Sequence, residues 1–172
     1  MSNKAQKVAR FGLLAALSLV LGWLDRAIPV TWFLSGAVPG IKLGLANLVV
    51  LSALFMLEPG PVLLINIGRI LLMGFLFGSG MSILYSLAGG ILSFAVMIFL
   101  IRTGFSHSGI SAAGAVAHNV GQILVAAVVL RSARLFYYLP VLIVSGVITG
   151  LLIGILSERI LKIFGKHKTT AL

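Results

Sequence analysis

Six apolar segments, most of them about as long as a membrane-spanning helix, constrain this chain more than any other feature. A backbone inside a bilayer must satisfy its hydrogen bonds within the protein, so segments of this kind fold as α-helices. Only 9% of the residues are charged, whereas about a quarter are charged in soluble domains. We therefore predict an all-α membrane protein, a bundle of six transmembrane helices over residues 8–24, 39–57, 62–77, 81–101, 109–130 and 139–161.

The segments between and beyond these helices are too short for a second domain. Residues 1–172 are therefore predicted to form a single integral membrane domain, with basic tails at 1–7 and 162–172. The positive-inside rule assigns the side richer in Lys and Arg, and with it both termini, to the cytoplasm. We expect a multi-pass protein of the cell membrane. The richer side carries Lys4, Lys7, Arg10, Arg102, Arg159, Lys162, Lys166 and Lys168, and the other side carries Arg26, Arg131 and Arg134.

The chain is strongly basic, with thirteen Lys and Arg residues against three acids. The basic residues collect at helix ends and in the tails, without the interleaved aromatic residues of a base-stacking surface. We therefore expect no nucleic-acid partner and assign the counter-charge to anionic membrane lipids.

Three polar residues, His118, Asn119 and Gln122, lie midway along the fifth segment. Polar side chains at this depth are costly unless they meet a partner, a cavity or a ligand. Because His118 and Gln122 are four residues apart and Asn119 is three residues before Gln122, all three can face one cavity. Hydrogen bonds between neighbouring helices are the alternative explanation.

Two other segments carry polar residues at a similar depth. Arg69 stands near the middle of the third segment, three residues after Asn66 and therefore on the same face. An arginine there keeps its charge and is costly unless it is paired or hydrated. In the second segment lie Asn47 and, near the outer end, Lys42, which either reaches the headgroups or contacts an anion. We predict that these residues line a cationic, outward-opening cavity for an anionic or carbonyl-rich molecule.

Small residues four apart allow close approach of another helix. Gly146, Gly150 and Gly154 form such a ridge in the sixth segment and predict packing within the bundle. Gly12 and Ala16 in the first segment have the same spacing. They indicate either internal packing or a docking face for a partner membrane subunit.

The residues of most enzymes and metal sites are missing from the sequence. The three acids, Asp25, Glu58 and Glu158, all fall at segment ends, and the chain has no cysteine. Hard cations need clustered carboxylates, and a lone intramembrane histidine is insufficient for zinc. No Walker A sequence, nucleophile elbow or aspartate-rich cluster occurs. We therefore expect no catalytic residue, no metal site and no cofactor, and we do not expect an enzyme.

Five features follow one another along the chain: PGIKLGLAN at 39–47, the intramembrane Arg69, YSLAGG at 85–90, GAVAHNVGQ at 114–122 and SGVITG at 145–150. Together they resemble the Gx transporter family, which is also labelled heptaprenyl diphosphate synthase component I. This family is similar to the S components of energy-coupling factor transporters. Those are six-helix proteins that capture a micronutrient from outside and work with a transmembrane coupling subunit and two ATPases.

The resemblance implies a substrate-binding component of such an importer. Gly12 and Ala16 would then contact the coupling subunit, and residues 25–38 would form a lid over the substrate. The second label of the family implies an alternative, a non-catalytic membrane accessory subunit of a prenyl diphosphate synthase or of a quinone-related pathway.

Overall fold

A computed structural model describes residues 3–27 and 44–163 of the chain. All regular secondary structure in these residues is helical, and these residues form no strand. Five of the α-helices, all except the second, are long and apolar enough to cross a membrane. The prediction of an all-α membrane protein is therefore confirmed. The helices are α1 (Asn3–Ala27), α2 (Leu45–Leu54), α3 (Pro59–Phe77), α4 (Gly80–Arg102), α5 (His107–Val129) and α6 (Leu139–Ile163), with a 3₁₀ helix at Ala133–Tyr138.

The bounds of the first two helices differ from the predicted ones. α1 begins at Asn3, so that residues 3–7 belong to the helix and not to a tail, and it continues to Ala27. α2 ends at Leu54, three residues before the predicted end at 57. The predicted start of this helix at 39 lies outside the described residues, as does the predicted lid beyond residue 27.

Side-chain contacts define the two ends of the bundle. Lys7 Nζ lies 3.2 Å from Glu58 Oε1 and joins the starts of α1 and α3. Arg26 Nη1 donates a hydrogen bond of 2.6 Å to the backbone oxygen of Phe77 and joins the ends of these helices. α1 and α3 therefore run in the same direction. We call the end with Lys7 and Glu58 the tail end and the opposite one the Asp25 end.

From α1 to α6, successive helices run in alternating directions between the tail end and the Asp25 end. The ring centroids of Phe55, just after α2, and His107, at the start of α5, are 4.2 Å apart. The hydroxyl groups of Ser52 in α2 and Ser157 in α6 are 2.9 Å apart. Phe55 and Ser52 precede by only a few residues the start of α3 at Pro59, which lies at the tail end. Both contacts therefore lie near that end. The described chain ends, residues 3 and 163, consequently lie on the same side of the bundle.

The short helix α2 is the most buried of the six. It packs against α1, α3 and α6, and Leu51 and Ala53 have no exposed surface. Residue Gly44 caps its start with a φ of 75°, in the left-handed region that glycine adopts without strain. α2 is thus the centre of the apolar core and holds one wall of the site described below.

Close helix packing depends on glycine at two interfaces. A Cβ atom at Gly121 in α5 would lie 2.9 Å from the backbone of Ala88 and Gly89 in α4. A Cβ atom at Gly150 in α6 would lie 2.5 Å from Cα of Ala112 in α5. Real Cβ atoms do not approach other atoms so closely, and the predicted packing ridge of the sixth segment is confirmed at Gly150.

Candidate functional site

A cavity of about 120 Å³ lies in the half of the bundle nearer the Asp25 end. α1 contributes residues of its last two turns to it, and α2 contributes its first turn. The cavity is large enough for several water-sized molecules. Its polar lining consists of Asp25, Arg26, Asn47, Asn66, Arg69, Ser86, Ser93, His118, Asn119, Gln122, Ser145 and Thr149.

The structure brings together most of the residues that the sequence analysis selected. Six of the seven predicted binding residues, from α2, α3 and α5, line this one cavity: Asn47, Asn66, Arg69, His118, Asn119 and Gln122. The seventh, Lys42, lies outside the described residues. The spacing of the polar residues within each helix placed them on one face, and in the tertiary structure these faces line the same cavity.

Arg69 is held by a short chain of hydrogen bonds. Its Nη2 donates to Asn66 Oδ1 over 2.9 Å, and Asn66 Nδ2 in turn donates to the backbone oxygen of Gly90 in α4 over 3.3 Å. The Nε atom of Arg69 is buried and has no hydrogen-bond partner in the protein. Buried donors are rarely left unpaired, so this guanidinium retains capacity for a water molecule or a ligand.

Asn119 joins α5 to α6. Its Nδ2 donates a 2.8 Å hydrogen bond to the backbone oxygen of Leu142. A Cβ atom at Gly146 would lie 3.1 Å from the same Nδ2, so the small residue at 146 allows the amide to reach this carbonyl. This helix contact is the alternative that the sequence analysis left open for the polar residues of α5. For Asn119 this helix contact is made by the amide nitrogen and does not involve the amide oxygen.

Asp25 is a cavity residue that sequence reasoning missed. It was assigned to the connection just after the first helix, but it lies in the last turn of α1, is only 9% exposed and lines the cavity. Both carboxylate oxygens are 3.2 Å from the backbone nitrogen of Gly44, which donates to them. The cavity lining therefore contains a carboxylate in addition to the guanidinium groups of Arg26 and Arg69.

The sequence analysis did not select the hydroxyl groups of the cavity, those of Ser86, Ser93, Ser145 and Thr149. Ser145 Oγ donates to the backbone oxygen of Leu142 and Thr149 Oγ1 to that of Ser145, as is common for hydroxyl groups within helices. Ser93 differs, since its Oγ is buried without a hydrogen-bond partner. The cavity thus contains unpaired polar atoms on both α3 and α4.

The two residues predicted to dock a partner do not line the cavity. Gly12 and Ala16 are exposed on the outer face of α1, and a Cβ atom at Gly12 would have no neighbour within 4 Å. By contrast, Ser18 is 1% exposed, and a Cβ atom at Gly22 would lie 3.7 Å from Cδ of Arg69. Packing inside the chain therefore explains Ser18 and Gly22 but does not explain Gly12 and Ala16.

The cavity does not resemble a metal site. Among residues 3–27 and 44–163, no group of three or more His, Asp or Glu residues is placed to hold a metal ion. The donor set is composed of amides, hydroxyl groups, an imidazole and guanidinium groups, with one carboxylate. Such a set favours an organic molecule with hydrogen-bond acceptors.

Residues 14–160 match the family model described as heptaprenyl diphosphate synthase component I. The chain belongs to this family. The matched range contains all cavity-lining residues and Ala16, whereas Gly12 lies just before it. Neither a curated protein nor a solved structure matches the chain. The family label that the sequence motifs predicted is therefore confirmed, and the polar cavity is the candidate functional site of this heptaprenyl diphosphate synthase component I family member.

Proposed function

We propose that this chain is the substrate-binding membrane component of an importer of the energy-coupling factor type. It captures a small anionic or carbonyl-rich micronutrient from outside the cell. The observation that carries the proposal is the polar cavity around Arg69, which lies in the half of the bundle remote from residues 3 and 163. A concave cavity on which polar groups from several helices converge is a candidate ligand site.

The orientation follows from the basic residues. The tail end carries Lys4, Lys7 and Arg10 at the start of α1 and Arg159 and Lys162 at the end of α6. By the positive-inside rule this end faces the cytoplasm, and the cavity then opens on the outer side. In this proposal the ten-residue helix α2 is one part of a further crossing of the membrane and is shielded from lipid by the helices around it.

The outer face of α1 is the proposed docking surface for a coupling subunit. Gly12 and Ala16 are exposed there among large apolar side chains such as Leu13 and Val20. Small residues at this spacing admit a second helix, and no helix of the described chain uses this face. The energy for transport would come from an ATPase pair bound to the coupling subunit, because the chain carries no Walker A sequence.

The family description supports a second candidate function. A heptaprenyl diphosphate synthase component I that lacks an aspartate-rich cluster would be a non-catalytic membrane accessory subunit. Prenyl chain elongation would then take place on a separate catalytic chain. In neither proposal is this protein itself an enzyme.

Retention of a small molecule during purification tests the importer proposal. The protein is purified in detergent, and the bound small molecules are extracted and quantified by mass spectrometry. We expect at least about tenfold less of the retained molecule in Arg69→Ala and in His118→Ala, because a hydrogen bond to a charged group contributes about 1.5–3 kcal/mol. The control is Arg102→Ala, which removes an exposed arginine at the end of α4.

Wild-type retention in Arg69→Ala or His118→Ala, at unchanged melting temperature, would contradict the site assignment. The accessory-subunit candidate is tested separately. Membranes that contain the wild-type chain are added to a soluble prenyl synthase chain, and the length of the prenyl products is measured. Longer products with wild-type membranes, and not with empty membranes, would favour the second candidate.

A further inference from the structure

The floor of the cavity is the part of its lining nearest to the tail end. On α4, which starts at the Asp25 end, the last residue that lines the cavity is Ser93, and on α3, which runs the other way, the first is Asn66. Phe94 and Met97 continue α4 toward the tail end and belong to the apolar core. A ligand group that reaches this floor therefore meets apolar core, and not water, on the tail side.

The guanidinium group of Arg69 lies at this depth. Its Nη2 atom donates to Asn66 over 2.9 Å, and Asn66 donates to the backbone oxygen of Gly90, one helical turn before Ser93. An arginine side chain has five N–H donors in a planar fork. Because Nε of Arg69 is buried without a hydrogen-bond partner among the described residues, a donor of this fork remains unpaired near the floor.

Ser93 carries the second unpaired group of the floor. The residue is 2% exposed, and its Oγ atom has no hydrogen-bond partner among the described residues. Hydroxyl groups within helices commonly bond to a backbone oxygen three or four residues earlier. For Ser93 the oxygen three residues earlier is that of Gly90, which already accepts from Asn66. Burial of an unpaired hydroxyl group is costly, and an acceptor on a ligand would remove this cost.

A carboxylate satisfies both of these groups. The described lining of the cavity contains no lysine, and its other guanidinium group, that of Arg26, is exposed and bonds to the backbone oxygen of Phe77. One negative charge at the floor is balanced by Arg69, whereas the further charges of a diphosphate would be buried there without a counter-charge. A carboxylate also has two oxygens, one for the guanidinium and one for the serine hydroxyl, and such charge-assisted hydrogen bonds are strong.

Resting on the proposed importer function, we infer that Ser93 contacts the ligand and that the innermost group of the ligand is a carboxylate. One oxygen of this carboxylate accepts from Arg69 and the other accepts from Ser93. The rest of the ligand extends toward the Asp25 end. Ser93 is a specificity-determining residue, because a ligand without a second acceptor at this position leaves the buried hydroxyl unpaired.

Two buried serines provide a matched comparison. Ser93→Ala and Ser111→Ala each remove a buried Oγ atom that has no hydrogen-bond partner in the described part of the chain, but Ser111 does not line the cavity. We expect neither substitution to lower the melting temperature in detergent, because an unpaired hydroxyl contributes no hydrogen bond to the fold. The amount of retained molecule per folded protein, quantified by mass spectrometry, should fall at least about tenfold in Ser93→Ala and be unchanged in Ser111→Ala.

The second measurement uses wild-type protein, so that it does not depend on the folding of a variant. The retained molecule is extracted and analysed by tandem mass spectrometry of its negative ions. We expect fragmentation with loss of carbon dioxide, which indicates a carboxylate. Phosphate fragments, or a retained molecule without an acidic group, would overturn the inference.

Three outcomes of the serine comparison would also overturn the inference and leave the importer proposal intact. They are wild-type retention in Ser93→Ala, an equal loss of retention in Ser111→Ala, and a lower melting temperature in Ser93→Ala alone, which would indicate a structural role. A wild-type protein that retains no molecule at all would instead contradict the proposed function, and with it the inference.

Discussion

At the scale of single residues, Asn66 and Asn47 show that two amides in one cavity have different tasks. Asn66 is 4% exposed, accepts from Arg69 and donates to the backbone of α4. Asn47 lines the same cavity but is only partly buried. Asn66 is therefore a positioning residue that holds Arg69 and joins two helices. Asn47 is suited to contact the ligand itself.

This difference predicts distinct effects of the same substitution. Asn66→Ala should lower the free energy of unfolding by about 1–3 kcal/mol, because it leaves buried partners unpaired, and should also reduce ligand retention. Asn47→Ala should reduce retention with little change in stability. Thermal unfolding in detergent and quantification of the retained molecule measure the two effects. Equal melting temperatures for the two variants would refute the positioning role of Asn66.

At the scale of elements, identical residue types serve opposite purposes on α1 and α6. Gly150 is buried against the backbone of α5, so its missing side chain sets the distance between these helices. Gly12 has open space around it on the exposed face of α1. One glycine stabilises the fold, and the other leaves a surface that a partner helix can approach.

Valine at each position separates these purposes. Gly150→Val should destabilise the bundle by about 1–3 kcal/mol or more, because the added atoms overlap the α5 backbone. Gly12→Val should leave the melting temperature unchanged and, under the proposed function, reduce copurification with the coupling subunit. A loss of stability in Gly12→Val, or none in Gly150→Val, would contradict this assignment of the two glycines.

At the scale of the whole molecule, the bundle is polarised from end to end. The tail end carries the Lys7–Glu58 ion pair and most of the described basic residues. The cavity and Asp25 lie toward the opposite end. This polarity defines which end should face each side of the membrane.

The absence of cysteine from the sequence makes this orientation directly measurable. Single cysteines are introduced at three exposed positions, Lys4, Thr103 and Ala133. A membrane-impermeant maleimide should label the cysteine at 133 in intact cells, and the cysteines at 4 and 103 only after permeabilisation. Labelling of position 4 in intact cells would reverse the proposed orientation and place the cavity on the cytoplasmic side.

The sequence by itself determined the helical membrane class, since apolar segments of this length leave the backbone no other way to satisfy its hydrogen bonds. It also identified Arg69 and His118 as cavity residues, because polar groups at such depth are too costly to face lipid. Helical spacing showed which residues share a face. Spacing within one helix contains no information about which faces of different helices meet.

Only the tertiary structure decided that question. It placed Asp25 beside the start of α2 and in the same cavity lining as Arg69, so that a carboxylate at an apparent segment end became part of the cavity. It also showed that Asn66 and Asn47 differ in burial, and that Gly150 is packed against α5 whereas Gly12 is exposed. The residue type is the same within each pair. The physical reason is that burial and pairing depend on contacts between helices, and these arise only when the helices pack against one another.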